Sequence, residues 1–340
     1  MRRFSIYLLG SVLTVAAGSA AAEPAKTLRI LTAGGEWTDA VTKCVDAPFT
    51  EKYGIKVELD TPAGYAKLAG LAQSGNVNVA LMDLETTELE RANAAGLLDP
   101  INWDAVKPFD MFPDAKKPYG FASTYFSTIM AWRPDAKEPK NWQEFFDTVN
   151  FPGKRALPDY PGYVLAFAAL ADGVEPDKLF PLDLDRAYRK LDTIKPHVAV
   201  WWKSGDHVQQ ILRSGEVAMT MSYSGRALIM SRERPNIQMT FNQSIRDVGI
   251  WAVIKGGPNT DGAMAFLDFF MGGPERHVKF ADQLNTATAN LDALDLLPEN
   301  EKRRRANHPD NWSRQVMPDF EWIGANRDML RERWVSWLTR

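Results

Sequence analysis

The sequence has 340 residues, a formal net charge of −3, 24% charged residues and a single cysteine. A mildly acidic chain argues against nucleic acid or an anionic membrane surface as partner, and one cysteine excludes an intrachain disulfide framework. The length exceeds what one hydrophobic core usually carries, so two domains are expected.

The chain starts with Arg2 and Arg3, an apolar run from Phe4 to Ala17, and Ala20, Ala21 and Ala22 as an A-x-A cleavage pattern. Residues 1–22 are therefore read as a signal peptide, with the mature chain beginning near Glu23. Losing two arginines takes the formal charge from −3 to −5. No later stretch approaches the ~20 apolar residues of a spanning helix, so the mature chain is expected to be soluble. Cys44 falls inside a predicted helix and is read as a small buried apolar residue. The basic run Lys302-Arg303-Arg304-Arg305 is read as a solvated helix end.

Strand-like and helix-like runs alternate along the chain, the pattern of parallel α/β architecture. Leu28 to Thr32 is a short β run ending at Gly34-Gly35, followed by helical spacing over Thr38 to Thr50 and a strand over Lys56 to Leu59. Tyr65, Leu68 and Leu71 share a helix face, Val77 to Met82 reads as a buried strand, and Thr87-x-x-Glu90 reads as a capping box opening a helix that stops at Gly96. After Trp132 the alternation resumes. Helices are predicted over Trp142 to Asp147, Tyr163 to Asp172 and Leu184 to Lys195, with strands at Arg155 to Leu157 and Val198 to Trp202. Ser204 caps a helix ending at Gly215, Val217 to Ser222 is a strand, and Arg226 to Arg232 a helix. No internal repeat or low-complexity linker occurs, so ordered segments must join the two units.

Several of these segments, taken in order, resemble one family. They are Gly54-Ile55-Lys56-Val57, Val79 to Glu85 with Gly96-Leu97-Leu98-Asp99-Pro100, Phe151-Pro152-Gly153-Lys154, Gly215-Glu216-Val217 before Tyr223-Ser224-Gly225, and Gly262 to Met271. Together they resemble periplasmic solute-binding proteins of ABC importers, of the spermidine/putrescine type, over nearly the whole mature chain. The resemblance implies a type II periplasmic-binding-protein fold, with two doubly wound α/β lobes joined by two crossover strands near Ile129 to Trp132 and Asp247 to Val253. Lobe 1 is expected over 23–129 plus 250–293 and lobe 2 over 130–249 plus 294–340. It further implies a monomer in the periplasm that binds a small amine in the interlobe cleft and delivers it to an inner-membrane ABC permease, with no cofactor and no metal.

Open α/β sheets bind ligands beyond the carboxyl ends of their strands. That rule alone selects Trp37 after the first strand, Asp83 and Glu85 after the third, Asp159 and Tyr160 in the second lobe, Trp202, Ser204 and Asp206, and Tyr223. Aromatic faces and carboxylates together suit an alkylammonium ligand, through cation–π contact and charge-assisted hydrogen bonds. In the resemblance, Trp37, Asp83, Glu85, Asp159 and Tyr223 sit where polyamine binders place such contacts. Polyamine binders also carry an aromatic–aspartate pair at the return crossover, where this chain reads Arg246-Asp247-Val248-Gly249-Ile250-Trp251, so Asp247 joins the candidates. Their late aromatic is replaced by Asn285-Thr286-Ala287-Thr288, which argues against a long polyamine.

Each candidate also has a purely structural reading. Asp83 and Glu85 could cap the helix near Thr87, and Ser204 its own helix. Asp206 could be a first-turn dipole partner, and Tyr160 and Tyr163 a packed pair. Trp201 and Trp202 point to opposite faces of a strand, so one must be core, and Trp202 is assigned to the ligand side. The four histidines are read as surface or helix-end residues, and neither a P-loop nor G-x-S-x-G occurs. The chain is expected not to be an enzyme. Alternatives are a binder of a zwitterion such as 4-aminobutyrate, with Arg226 or Arg246 as the required cation, and, distantly, a secreted enzyme on the same fold.

Overall fold

A computed structural model describes residues 26–107, 111–112, 115–233 and 237–340. The expected leader, 1–22, lies outside the described residues.

The first half of the chain opens with β1 (Thr27–Leu31), followed by α1 (Gly35–Val41), a π-helical turn and α2 (Ala47–Tyr53). Then come β2 (Lys56–Asp60), α3 (Tyr65–Gln73), β3 (Leu81–Glu85) and α4 (Thr86–Ala94), with short strands β4 (Leu98–Asp99) and β5 (Lys116–Lys117) before the long β6 (Gly120–Trp132). The second half supplies α5 (Trp142–Phe146), β7 (Arg155–Pro158), α6 (Pro161–Ala171), α7 (Leu184–Ile194), β8 (Val198–Trp202), α8 (Gly205–Ser214), β9 (Met219–Tyr223) and α9 (Ser224–Glu233). The 17-residue β10 (Gln238–Ile254) returns towards the first half. It leads into α10 (Thr260–Met271), α11 (Pro274–Leu284), β11 (Ala287–Thr288), four short helices, α12 (Leu291–Asp295), α13 (Glu299–Lys302), α14 (Pro309–Trp312) and α15 (Phe320–Ala325), and the longer closing α16 (Arg327–Leu338).

The described strands form one mixed sheet in the order β2-β1-β3-β10-β6-β9-β7-β8. β2-β1-β3 and β9-β7-β8 are parallel sets, while β10 and β6 pair antiparallel between them. β10 pairs β3 through Gly249–Val253 and β6 pairs β9 through Thr128–Trp132, so this central pair carries the chain from one lobe to the other. Separate apolar cores sit on the two sides. One is built around Phe49, Trp251 and Phe266, and the other around Trp142, Phe167 and Trp334.

The structure corrects several local expectations. The third strand starts at Leu81 rather than Val77, although Ala80 already donates to the Arg29 carbonyl at 2.9 Å. The Thr87-x-x-Glu90 capping box does not form. α4 begins at Thr86 without a side-chain cap. Cys44 is half-buried. The basic run is not simply solvated, because Arg305 is buried and bonds Asp282 and the Thr286 carbonyl. His277 is also fully buried, beside the Thr288 hydroxyl at 3.1 Å, and burial pushes its pKa down to about 3.

Candidate ligand-binding cleft

Between the two lobes lies a cleft of about 640 Å³, within the usual range of roughly 300–1,000 Å³ for small-molecule sites. Its first wall is made by β1, β3 and the loops after them. β1 ends at a Gly34-Gly35 turn with φ of 90° and 54°, a backbone that side chains other than glycine strain to adopt. The turn aims the first residues of α1, Glu36 and Trp37, into the cleft. Trp37 packs edge-on against Phe280 at 5.1 Å, and its ring lies over Gly249 of β10, where an added Cβ would stand 3.1 Å from it. β3 delivers Asp83 and Glu85, and the first turn of α4 adds Glu88, whose carboxylate also accepts from the Tyr65 amide at the start of α3.

The second wall comes from β9, α8 and α9. Tyr223 ends β9 and is held edge-on by Phe126 at 6.0 Å and Trp202 at 5.2 Å. Ser204 and Asp206 flank the start of α8, where the Ser204 hydroxyl accepts from the His207 amide. Arg226, in the first turn of α9, reaches Glu36 on the opposite wall and Asp206 at 3.2 Å.

Electrostatics separates these acids from ordinary surface carboxylates. Asp83 is 8% exposed, and its Oδ1, like Trp37 Nε1, has no hydrogen-bond partner among the described residues. Loss of water, and secondarily Glu88, pushes its pKa up to about 8. Glu85 is open to the cleft but enclosed by protein on its other sides. Desolvation raises its pKa, and Asp247, Glu88 and Asp83 raise it further, while Arg327 opposes them. Asp247 lies behind the lining, where its carboxylate accepts from Tyr163, Thr86 and its neighbour's amide at Val248. Burial raises its pKa and those hydrogen bonds restrain the rise. Burial also raises the Tyr223 phenol, with Glu85 and Asp247 adding to it.

Of the residues selected from sequence, the structure brings Trp37, Asp83, Glu85, Ser204 and Tyr223 to one cleft, together with Asp206 and Arg226. Asp247 supports it from beneath. Two others point elsewhere. Asp159 is taken up by α16, where the Trp334 indole donates to it at 2.6 Å and Arg331 at 3.2 Å. Trp202 is 1% exposed and donates to the Met221 carbonyl, so it acts as the floor under Tyr223; Trp201, half-buried, packs against Trp334 and Trp337. Tyr160 and Tyr163 are indeed a packed pair, 5.2 Å apart. Arg246 stacks on Trp312 at 3.3 Å and does not line the cleft.

The sequence reading missed Glu36, Glu88, Phe126 and Thr286 as lining residues. Glu36 was within reach of the strand-end rule, being adjacent to Trp37. Phe126 lies mid-strand on the crossover β6, where no local signal marks a ligand side. Thr286 occupies the stretch where polyamine binders place their late aromatic.

The chain is 29% identical to the gamma-aminobutyric acid-binding protein of Pseudomonas aeruginosa, over 97% of this chain and 96% of that protein. It is 23% identical to the putrescine-binding periplasmic protein SpuD of Pseudomonas aeruginosa, over 88% of each. Among solved structures, the Atu4243–GABA receptor superposes with a TM-score of 0.86 at 30% identity, covering 92% of this chain and 97% of that one. The family model for bacterial extracellular solute-binding proteins matches residues 45–307. With a two-lobed fold around an aromatic and acidic cleft, and that match across most of its length, the chain belongs to the bacterial extracellular solute-binding protein family.

Proposed function

We propose that the chain is the periplasmic ligand-binding component of an ABC importer and captures a small cationic amine between its lobes. The observation that carries this reading is the imbalance of charge in the cleft. Among the described residues, Glu36, Asp83, Glu85, Glu88 and Asp206 line the cleft with a single guanidinium, Arg226. A primary ammonium can donate to Asp83 and Glu85, while Trp37 and Tyr223 cover its methylene stem, each cation–π contact contributing about 0.5–2 kcal/mol when desolvated. Closure about β6 and β10 would bury the ligand, after which a membrane permease accepts it unchanged.

The presence of Arg226 in the same cleft favours a second reading, in which the ligand is a zwitterion such as 4-aminobutyrate with its carboxylate on that guanidinium. The similarity to a gamma-aminobutyric acid-binding protein over nearly the full chain supports it as well. A thermal-shift screen with putrescine, spermidine, 4-aminobutyrate, a neutral amide and a dicarboxylate tests both. Ligand binding to the native state alone raises Tm by mass action. Amines should stabilise the protein and return unaltered in mass spectrometry. Stabilisation by the dicarboxylate alone would overturn the amine reading.

A further inference from the structure

The two amine readings turn on whether Arg226 is available to a ligand, and the structure shows a residue already on it. Glu36 stands in the first turn of α1 with its side chain half exposed, and its carboxylate crosses the cleft to the Arg226 guanidinium. Arg226 is 22% exposed and is also met by Asp206 at 3.2 Å and by the Gln209 side-chain oxygen at 3.5 Å. Gly205 makes this position possible, since a Cβ there would stand 2.6 Å from Arg226 Nε.

Resting on the amine reading, we propose that Glu36 is a specificity-determining residue. Its carboxylate occupies Arg226, the one cation that lines the cleft among the described residues, so a ligand carboxylate must displace it. An incoming carboxylate would otherwise lie among acidic side chains with no cation to pair with, and an unpaired charge in a desolvated cleft is strongly unfavourable. A diamine carries no such requirement, because both of its ends are drawn to acids. Glu36 thus biases the cleft towards ligands without a carboxylate, and the Glu36–Arg226 pair, rather than the acids of β3, sets the ratio of affinities between a diamine and an ω-amino acid.

Calorimetric titration of the whole mature protein with putrescine and with 4-aminobutyrate, at fixed pH and salt, tests this. In Glu36→Gln the affinity ratio of 4-aminobutyrate to putrescine should rise at least about tenfold. In Asp206→Asn, which removes an equally charged acid beside the same arginine, it should rise less. In an Arg226→Gln background, Glu36→Gln should no longer shift the ratio, since the two act as one unit. Melting curves establish that each variant is folded; Glu36 lies at an exposed helix start, so little change is expected. Equal shifts in Glu36→Gln and Asp206→Asn would reduce the effect to bulk charge and overturn the inference. An unchanged ratio in an amine-binding protein would overturn it too, while leaving the proposed function standing. If wild-type protein binds neither amine, the proposed function itself falls, and this inference with it.

Discussion

Asp83 and Asp159 are the same residue type towards the carboxyl ends of parallel strands in their own lobes, Asp83 within the second half of β3 and Asp159 just past β7. Their surroundings are opposite. Asp83 is buried with an unpaired Oδ1 and a pKa pushed up to about 8. Asp159 accepts from an indole and a guanidinium of α16, with Lys203 a further 3.8 Å away. Strand ends therefore nominate positions, and the elements that later cover them decide which remain open to a ligand. The second lobe packs its closing helix over the end of β7, whereas the ends of β1 and β3 stay open to the cleft.

The sharpest contrast is between stability and binding. Trp202→Ala removes a fully buried indole beneath Tyr223 and should destabilise the protein by about 3–5 kcal/mol, read from denaturant unfolding. If Trp202→Ala left stability intact and abolished binding, the indole would belong to the ligand rather than to the core.

Next in size, Asp83→Asn should weaken amine binding by about 2–4 kcal/mol, because a desolvated ammonium loses its counter-charge. Asp159→Asn should leave affinity within about twofold and instead lower Tm, through its weakened bonds to Trp334 and Arg331. Equal losses of affinity in the two variants, measured by calorimetry, would erase the distinction drawn between the two aspartates.

Trp37→Ala and Tyr223→Ala should each reduce affinity by about 1–3 kcal/mol through lost stacking and cation–π contact. Each side chain is partly exposed to the cleft, so Tm of the ligand-free protein should fall less than in Trp202→Ala. A wild-type titration curve for both variants would remove the aromatic walls from the site.

The last contrast is in pH dependence. An ammonium needs Asp83 ionised, but below pH of about 8 the ligand-free cleft keeps that proton. Binding should therefore release protons, and affinity should rise between pH 6 and 8 and level off above, by at most about tenfold per unit for one proton. Stability of the ligand-free protein should run the other way. The unfolded carboxyl titrates near pH 4, so as pH rises from about 4 to about 8 the unfolded chain has lost a proton that the folded chain retains, and folding weakens. Asp83→Asn removes this penalty and should raise the Tm of ligand-free protein at pH 8. Buffer-dependent calorimetric enthalpies and melting curves across pH check both signs.

Much of the local architecture could be read from the residues. Alternating apolar runs predicted most of the elements from β1 to α9 in the right order, and Gly215 follows α8 in left-handed backbone where that helix was expected to end. Asp83, Glu85, Trp37, Ser204 and Tyr223 were found because strand ends are local features. Periodicity and turn chemistry act over a few residues, and a short window is enough to see them.

What only the tertiary structure decided depends on distant segments. That Asp159 is consumed by Trp334 is a contact across 175 residues, and that Glu36 lies on Arg226 is one across 190. The face of β8 that became core, the burial of His277 and Arg305, and the raised pKa of Asp83 likewise depend on which remote elements exclude water. The sequence by itself determined the strands, the helices and a set of chemically suited side chains at their ends. Only packing determined which of those side chains remain unsatisfied, because desolvation and pairing are properties of the assembled neighbourhood rather than of any segment within it.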